Sequence, residues 1–219
     1  MRGCPPRLGG VLLAFDTATP HVTVALHDGD SVVASFESEE QMRHGEMLAP
    51  GIARVLAEAG ASAPDLTGIA VGVGPGPFTG LRVGLVTART LAFVRDIPVH
   101  GVCSLDILAA EAVDAGLAEF VVATDARRKE IYLATYAAGR RVSGPEVVKP
   151  VNARSDLPVV GRGGTLYPEH FAHRAGPEHP SAAVLCGIVL HHRFAVTGPD
   201  PLYLRRPDAT EPGKPKRVS

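Results

Sequence analysis

The chain opens with a strand-like pattern. VLLAFD (11–16) is an apolar run ending on Asp16, and Val22, Val24 and Leu26 then alternate with polar neighbours. Asp28-Gly29-Asp30 supplies turn chemistry, and Val32, Ala34 and Phe36 resume the alternation. This predicts three consecutive strands, the last two a hairpin. The period changes at His44, where Leu48, Ile52, Val55, Leu56 and Ala59 fall on one face of a helix that Gly60 stops. Pro50 sets either a nearby helix start or a kink. LTGIAVGVG (66–74) reads as a buried strand, 80–96 as a helix, 98–102 as a strand and 104–116 as a helix. After Gly116 the order begins again: strands near 118–127, 129–138 and 140–150, a short strand near 158–164, and a helix over 181–195. Two lobes are therefore expected, 11–116 and 117–205, each opening with antiparallel strands, the first of which leads into an Asp: Asp16 and Asp125.

One helix gives no direction for its buried face. Gly80, Gly84, Ala88 and Ala92 make a small-residue stripe, while Leu81, Val83, Leu85, Val86, Leu91, Phe93 and Val94 occupy the other sides. Such a helix is buried on more than one side. Burial inside its own lobe and cover by a partner chain both remain open.

Composition narrows the class. The 219 residues are 45% hydrophobic with a formal net charge of -1, which suits a real core and gives no overall field for nucleic acid or membrane. Three separated cysteines (Cys4, Cys103, Cys186) suggest neither a disulfide framework nor a zinc knuckle, and the expected location is cytoplasmic. Residues 1–10 read as a disordered extension rather than a signal peptide, and 206–219 as a basic disordered tail.

VGVGPGPFTGLRVG (71–84) sits where a strand enters a helix, a common place for phosphate. It lacks the Gly-Lys-Ser/Thr of a Walker loop. Pro77 replaces the third glycine of a dinucleotide fingerprint, and two prolines remove backbone donors. Thr79 reads as an N-cap, leaving Gly76, Thr79 and Gly80, with Asp16 and Asp125, as the candidate set for weak ATP and Mg²⁺ binding. No other constellation reaches a metal or catalytic spacing. His44-Gly45-Glu46 is too short for a zincin helix, His170 and His173 lack a third ligand, and Ser104 with Asp106 and His100 lacks the nucleophile elbow.

LLAFDTAT, HGEMLAP, GVGPGPFTGLRVGL, IPVHGVCSLDILA, DARRKEIYLA and PLYLRRPDA occur in order. From Val11 to Ala209 the chain resembles the TsaB (YeaZ) family, non-catalytic relatives of the transferase TsaD. The resemblance implies an α/β, two-lobed actin-like/Hsp70-like ATPase (ASKHA) fold, each lobe a mixed sheet flanked by helices. It implies an accessory subunit in making N6-threonylcarbamoyladenosine at position 37 of ANN-decoding tRNAs. TsaD and, in a ternary complex, TsaE are the implied partners, with a homodimer when alone and tRNA met only through the complex. TsaD carries a metal-binding HxxxH where this chain has Ser104 and Leu108, and nucleotide-binding relatives have glycine where Ala18 stands. No catalytic residue, metal or firm cofactor is therefore implied. The implied partner surface is the 44–59 and 79–94 helix pair, with His44, Leu48, Ile52, Leu81, Gly84, Leu85, Ala88 and Ala92 as candidate contacts. The alternative is a nucleotide-binding ATPase or a glycoprotease-like peptidase acting alone.

Overall fold

The computed structural model describes residues 10–38, 43–153 and 155–205. Residues 1–9 of the expected extension, and all of the expected tail, lie outside the described residues.

The first sheet is built from β1 (Val11–Asp16), β2 (Thr23–His27), β3 (Val32–Glu37), β4 (Leu66–Gly72) and β5 (Val99–Val102). β1, β2 and β3 form an antiparallel meander, β4 joins β1 in parallel, and β5 joins β4 in parallel. Both faces are covered at β1, β2 and β4, so these strands are buried on both sides, whereas β3 at the edge is mostly exposed. Leu13 and Phe15 point to one face and pack with α1 (His44–Glu58) and α2 (Phe78–Arg95). Leu12 and Ala14 point to the other and pack with residues of α3 (Ser104–Asp114) and of a late helix.

The second sheet repeats the plan. β6 (Glu119–Asp125), β7 (Ile131–Ala137) and β8 (Arg140–Val148) form a meander, and β9 (Val159–Val160) adds to β6 in parallel. The order β8-β7-β6-β9 matches β3-β2-β1-β4 of the first sheet. The expected duplication is present, and the architecture is the two-lobed ASKHA type. A short turn of helix, α4 (Gly163–Leu166), follows β9.

The expected boundaries need one correction. The segment 117–205 does not stay with the second sheet. α5 (Ala182–His191) packs against β1, β2 and β4, and β10 (Val196–Thr197) pairs antiparallel with β5. Leu185, Cys186 and Ile188 fill the core under Leu12, Ala14 and Ala70. The physical reason is that the meander presents two apolar faces, and α1 and α2 cover one. α3 joins the lobes: Ile107 and Ala110 pack toward the first sheet, Leu105, Leu108, Ala109 and Ala112 toward the second.

Several local bounds differ from those the sequence suggests: the helix expected over 181–195 stops at His191, and the strand expected near 158–164 shrinks to Val159–Val160 before a turn of helix at Gly163–Leu166. α1 begins six residues before Pro50 and runs through it. The ring lies on the exposed side, where water can serve the carbonyl left without a donor. α2 begins one residue earlier than Thr79: Pro77 holds the cap position at ψ 133° and no side chain caps the helix. Thr79 is an exposed residue of the first turn rather than the N-cap.

Candidate functional site

β1 delivers Asp16 into the interior, only 1% exposed. Its Oδ1 accepts the Ala18 N–H at 2.8 Å and its Oδ2 accepts the Ser104 hydroxyl at 2.6 Å. Burial pushes its carboxyl above the usual range; the Ser104 and Ala18 hydrogen bonds and nearby His44 pull the other way. The residue opposite must be glycine, because a Cβ on Gly72 would lie 1.7 Å from Oδ2. This carboxylate is a structural anchor between β1, β4 and α3, not a ligand facing open space.

The loop after Asp16 lies on the glycine-rich segment. Thr17 Oγ1 donates to Gly80 O at 2.8 Å, and His44 Nε2 donates to Thr19 O at 2.6 Å. A Cβ on Gly80 would meet Thr17 O at 2.5 Å, on Gly84 Thr17 Oγ1 at 2.4 Å, and on Gly76 Ala18 O at 2.4 Å. Thr17 and Ala18 thus take up the close approach that these glycines allow. Asp125 closes its own turn, accepting the Arg127 N–H at 2.7 Å and facing the Arg127 guanidinium at 3.5 Å. Asp125, Ala18, Pro77, Arg162 and His179 line a cavity of about 10 Å³, room for no more than one water. Of the five candidate nucleotide residues, only Asp125 lines this cavity; Asp16 is turned into the core and Thr79 out to solvent.

The positions that the resemblance matches to metal ligands have other roles. Besides its bond to Asp16, Ser104 Oγ accepts the Gly74 N–H at 3.2 Å. Leu108 is fully buried in the core between α3 and the second sheet. Asp106 accepts the Tyr136 hydroxyl at 2.7 Å and lies 3.7 Å from the Arg141 guanidinium. Burial pushes its carboxyl up, against the Tyr136 hydrogen bond and the Arg141 charge. The Cys103 thiol, next to it, is pushed up to about 11, chiefly by burial. No group of three or more His, Cys, Asp or Glu positioned for a metal occurs among the described residues. His170 faces Glu169 at 3.4 Å rather than His173.

The eight candidate interface residues are corrected as a set. His44, Leu48, Ile52, Leu81, Gly84, Leu85, Ala88 and Ala92 are all buried within the chain, and the six apolar side chains among them belong to the core under the first sheet. A face that touches its own sheet is not available to another molecule. The exposed side of α2 instead carries Val86 (60% exposed), Phe93 (88%) and Val94 (70%), flanked by Arg82, Arg89 and Thr90. α1 packs beside it and turns Gly45, Ala49, Ala53 and Ala57 outward, four residues apart. The sequence signal for this surface was α2's excess of apolar residues on more than one side.

A protein-family model described as TsaD, tRNA N6-adenosine threonylcarbamoyltransferase, matches residues 35–174. YeaZ from Pseudomonas aeruginosa superposes with a TM-score of 0.76 at 29% identity, covering 89% of this chain and 100% of that one. The tRNA threonylcarbamoyladenosine biosynthesis protein TsaB of Escherichia coli (strain K12) is 37% identical over 126 residues, 57% of this chain and 54% of its own. The chain belongs to the TsaB (YeaZ) family. An uncharacterized protein of Mycobacterium tuberculosis is 40% identical over 206 residues, 90% of this chain and 93% of its own. This last similarity spans both sheets, whereas the match to the Escherichia coli TsaB spans little more than half of either chain.

One element of this TsaB-family chain takes a position that the sequence did not indicate. Residues 198–205 form a strap over the glycine-rich loop. The Leu202 N–H donates to Val73 O at 2.8 Å, the Tyr203 and Phe78 rings lie 5.3 Å apart, and Arg89 binds Pro199 O and Asp200. Arg205 donates to Ala126 O at 3.0 Å and pairs with Glu130 on the other lobe. PLYLRRPDA was visible as a motif, but nothing in its spacing told where it would lie.

Proposed function

We propose that this chain is a non-catalytic accessory subunit for the synthesis of N6-threonylcarbamoyladenosine at position 37 of ANN-decoding tRNAs, and that it binds the TsaD transferase. The observation that carries the reading is the exposed apolar face of α2, Val86, Phe93 and Val94, beside the small-residue face of α1. Soluble surfaces rarely leave such large side chains together in water without a partner, and the small residues of α1 allow a second pair of helices to approach closely. Family membership supports the process, because the Escherichia coli relative is named for threonylcarbamoyladenosine biosynthesis. In this reading TsaE joins a ternary complex, the free chain self-pairs through the same face, and the work is done in the cytoplasm.

The non-catalytic part rests on the buried Asp16, the Ser104 and Leu108 positions, and the small cleft. Calorimetry of the free chain with ATP and Mg²⁺ is expected to give no saturable heat at micromolar concentrations; turnover of ATP would defeat this part.

The partner test is co-purification with TsaD of the same organism. Wild type is expected to pair, while Phe93→Glu and Val86→Glu are expected to lose TsaD without loss of folding. Pairing untouched by both changes would place the interface elsewhere.

A further inference from the structure

The turn between β6 and β7 has an unusual backbone and an unusual charge. Arg127, Arg128 and Lys129 occupy three consecutive left-handed positions, with φ of 63°, 54° and 58°. Residues with a Cβ disfavour this region. The turn is held by the Ala126 N–H to Glu130 O (3.0 Å), the Glu130 N–H to Arg127 O (2.9 Å), and the Asp125 bond to the Arg127 N–H. A strained arrangement maintained by its surroundings is a reason to look for a use. All three residues are exposed. The register Ile131↔Val148 brings a fourth exposed cation, Lys149, beside Glu130.

Two carboxylates at the turn are already engaged. Asp125 faces Arg127, and Glu130 pairs with Arg205. Glu178 and Arg162 line the adjoining cleft. Arg205 also binds Ala126 O, which ties the end of the strap to this turn.

We propose that this basic end of the second lobe contacts the phosphate backbone of RNA. Arg and Lys without apolar anchors suit phosphate, which is recognised by charge. A protein interface would want an apolar or aromatic centre and fewer lysines, and 127–129 and Lys149 supply none. A hairpin tip is convex and does not enclose a single phosphate, so an extended polyanion fits better than a nucleotide. The contact is separate from the α1–α2 face. It rests on the proposed role in tRNA modification for the identity of the RNA, and goes beyond it by giving the accessory chain its own hold on the substrate.

The test is fluorescence anisotropy of a labelled, unmodified transcript of an ANN-decoding tRNA with the full chain, at 50 and 200 mM KCl. Binding is expected at 50 mM and should weaken steeply with salt. Arg128→Asn/Lys129→Asn/Lys149→Gln should bind at least about fivefold more weakly, and lower the slope of log K against log salt by about 2. Asparagine is chosen because it tolerates left-handed backbone. Lys149→Gln alone, outside the turn, should give a smaller loss in the same direction. Arg140→Gln, at the opposite end of the β7–β8 hairpin, should bind as wild type. Absence of salt-sensitive binding, equal losses in the Arg140 and triple variants, or equally tight binding of poly-L-glutamate would overturn the proposal, the last in favour of an acidic protein. Wild type that binds tRNA but not TsaD would leave this contact standing and remove the proposed partnership. The triple variant should still pair with TsaD.

Discussion

At the scale of single residues, Asp16 and Ser104 carry the main lesson. Asp16 is held above its ordinary pKa by burial, so the fold binds its proton more tightly than the unfolded chain does. Stability therefore falls as pH rises from the ordinary value of 3.8 toward the raised native one, and Asp106 contributes with the same sign. Ser104→Ala removes the donor to a buried carboxylate oxygen and raises the Asp16 pKa further. It should cost roughly 1–3 kcal/mol at pH 7 and less near pH 4, measured by urea unfolding across that range. Asp16→Asn should flatten the pH dependence above pH 4 in the same experiment. The sequence showed a carboxylate at a strand end, and the resemblance showed a hydroxyl where relatives of TsaD type hold a histidine. It did not show that the two side chains meet, because they stand 88 positions apart and β1 and α3 come together only through the tertiary fold. The strained turn at 127–129 was equally hidden: Arg-Arg-Lys has no composition signature for left-handed backbone, which costs about 1–2 kcal/mol per residue.

At the scale of elements, strands and helices were largely legible, since each period is written in local sequence. The direction of α2 was not. Its apolar residues surround the axis, and the small-residue stripe fits equally a partner helix or its own chain's loop. The structure gives Gly80 and Gly84 to Thr17, buries Ala88 and Ala92 in the core of the first lobe, and leaves Phe93 outside. Two substitutions separate these roles. Gly84→Leu places side-chain atoms into Thr17 and should lower stability by about 1–3 kcal/mol, as overpacking does. Phe93→Glu should stay within about 0.5 kcal/mol of wild type, as exposed changes usually do. Thermal melts of both variants, read beside the co-purification assay, distinguish a folding defect from a lost contact. β10, two residues long, was not foreseen, since so short a strand has no period to read.

For the whole molecule, the duplication was foreseeable but the path of the chain between lobes was not. α3 is shared by both cores, the strap ties Val73 to Ala126, and α5 returns to the first sheet. A sequence read in order assigns late residues to the late lobe, and only the unmet apolar face of β1, β2 and β4 argues otherwise. That return sets the order in which the protein can mature on the ribosome. When residue 116 emerges, Leu12, Ala14 and Ala70 still lack Leu185 and Ile188, which are synthesised some seventy residues later. The nascent first lobe must therefore wait with an apolar face uncovered, exposed to chaperones and to aggregation. A fragment of residues 1–116 should show no cooperative thermal transition by circular dichroism. Supplying 117–219 in trans should restore one.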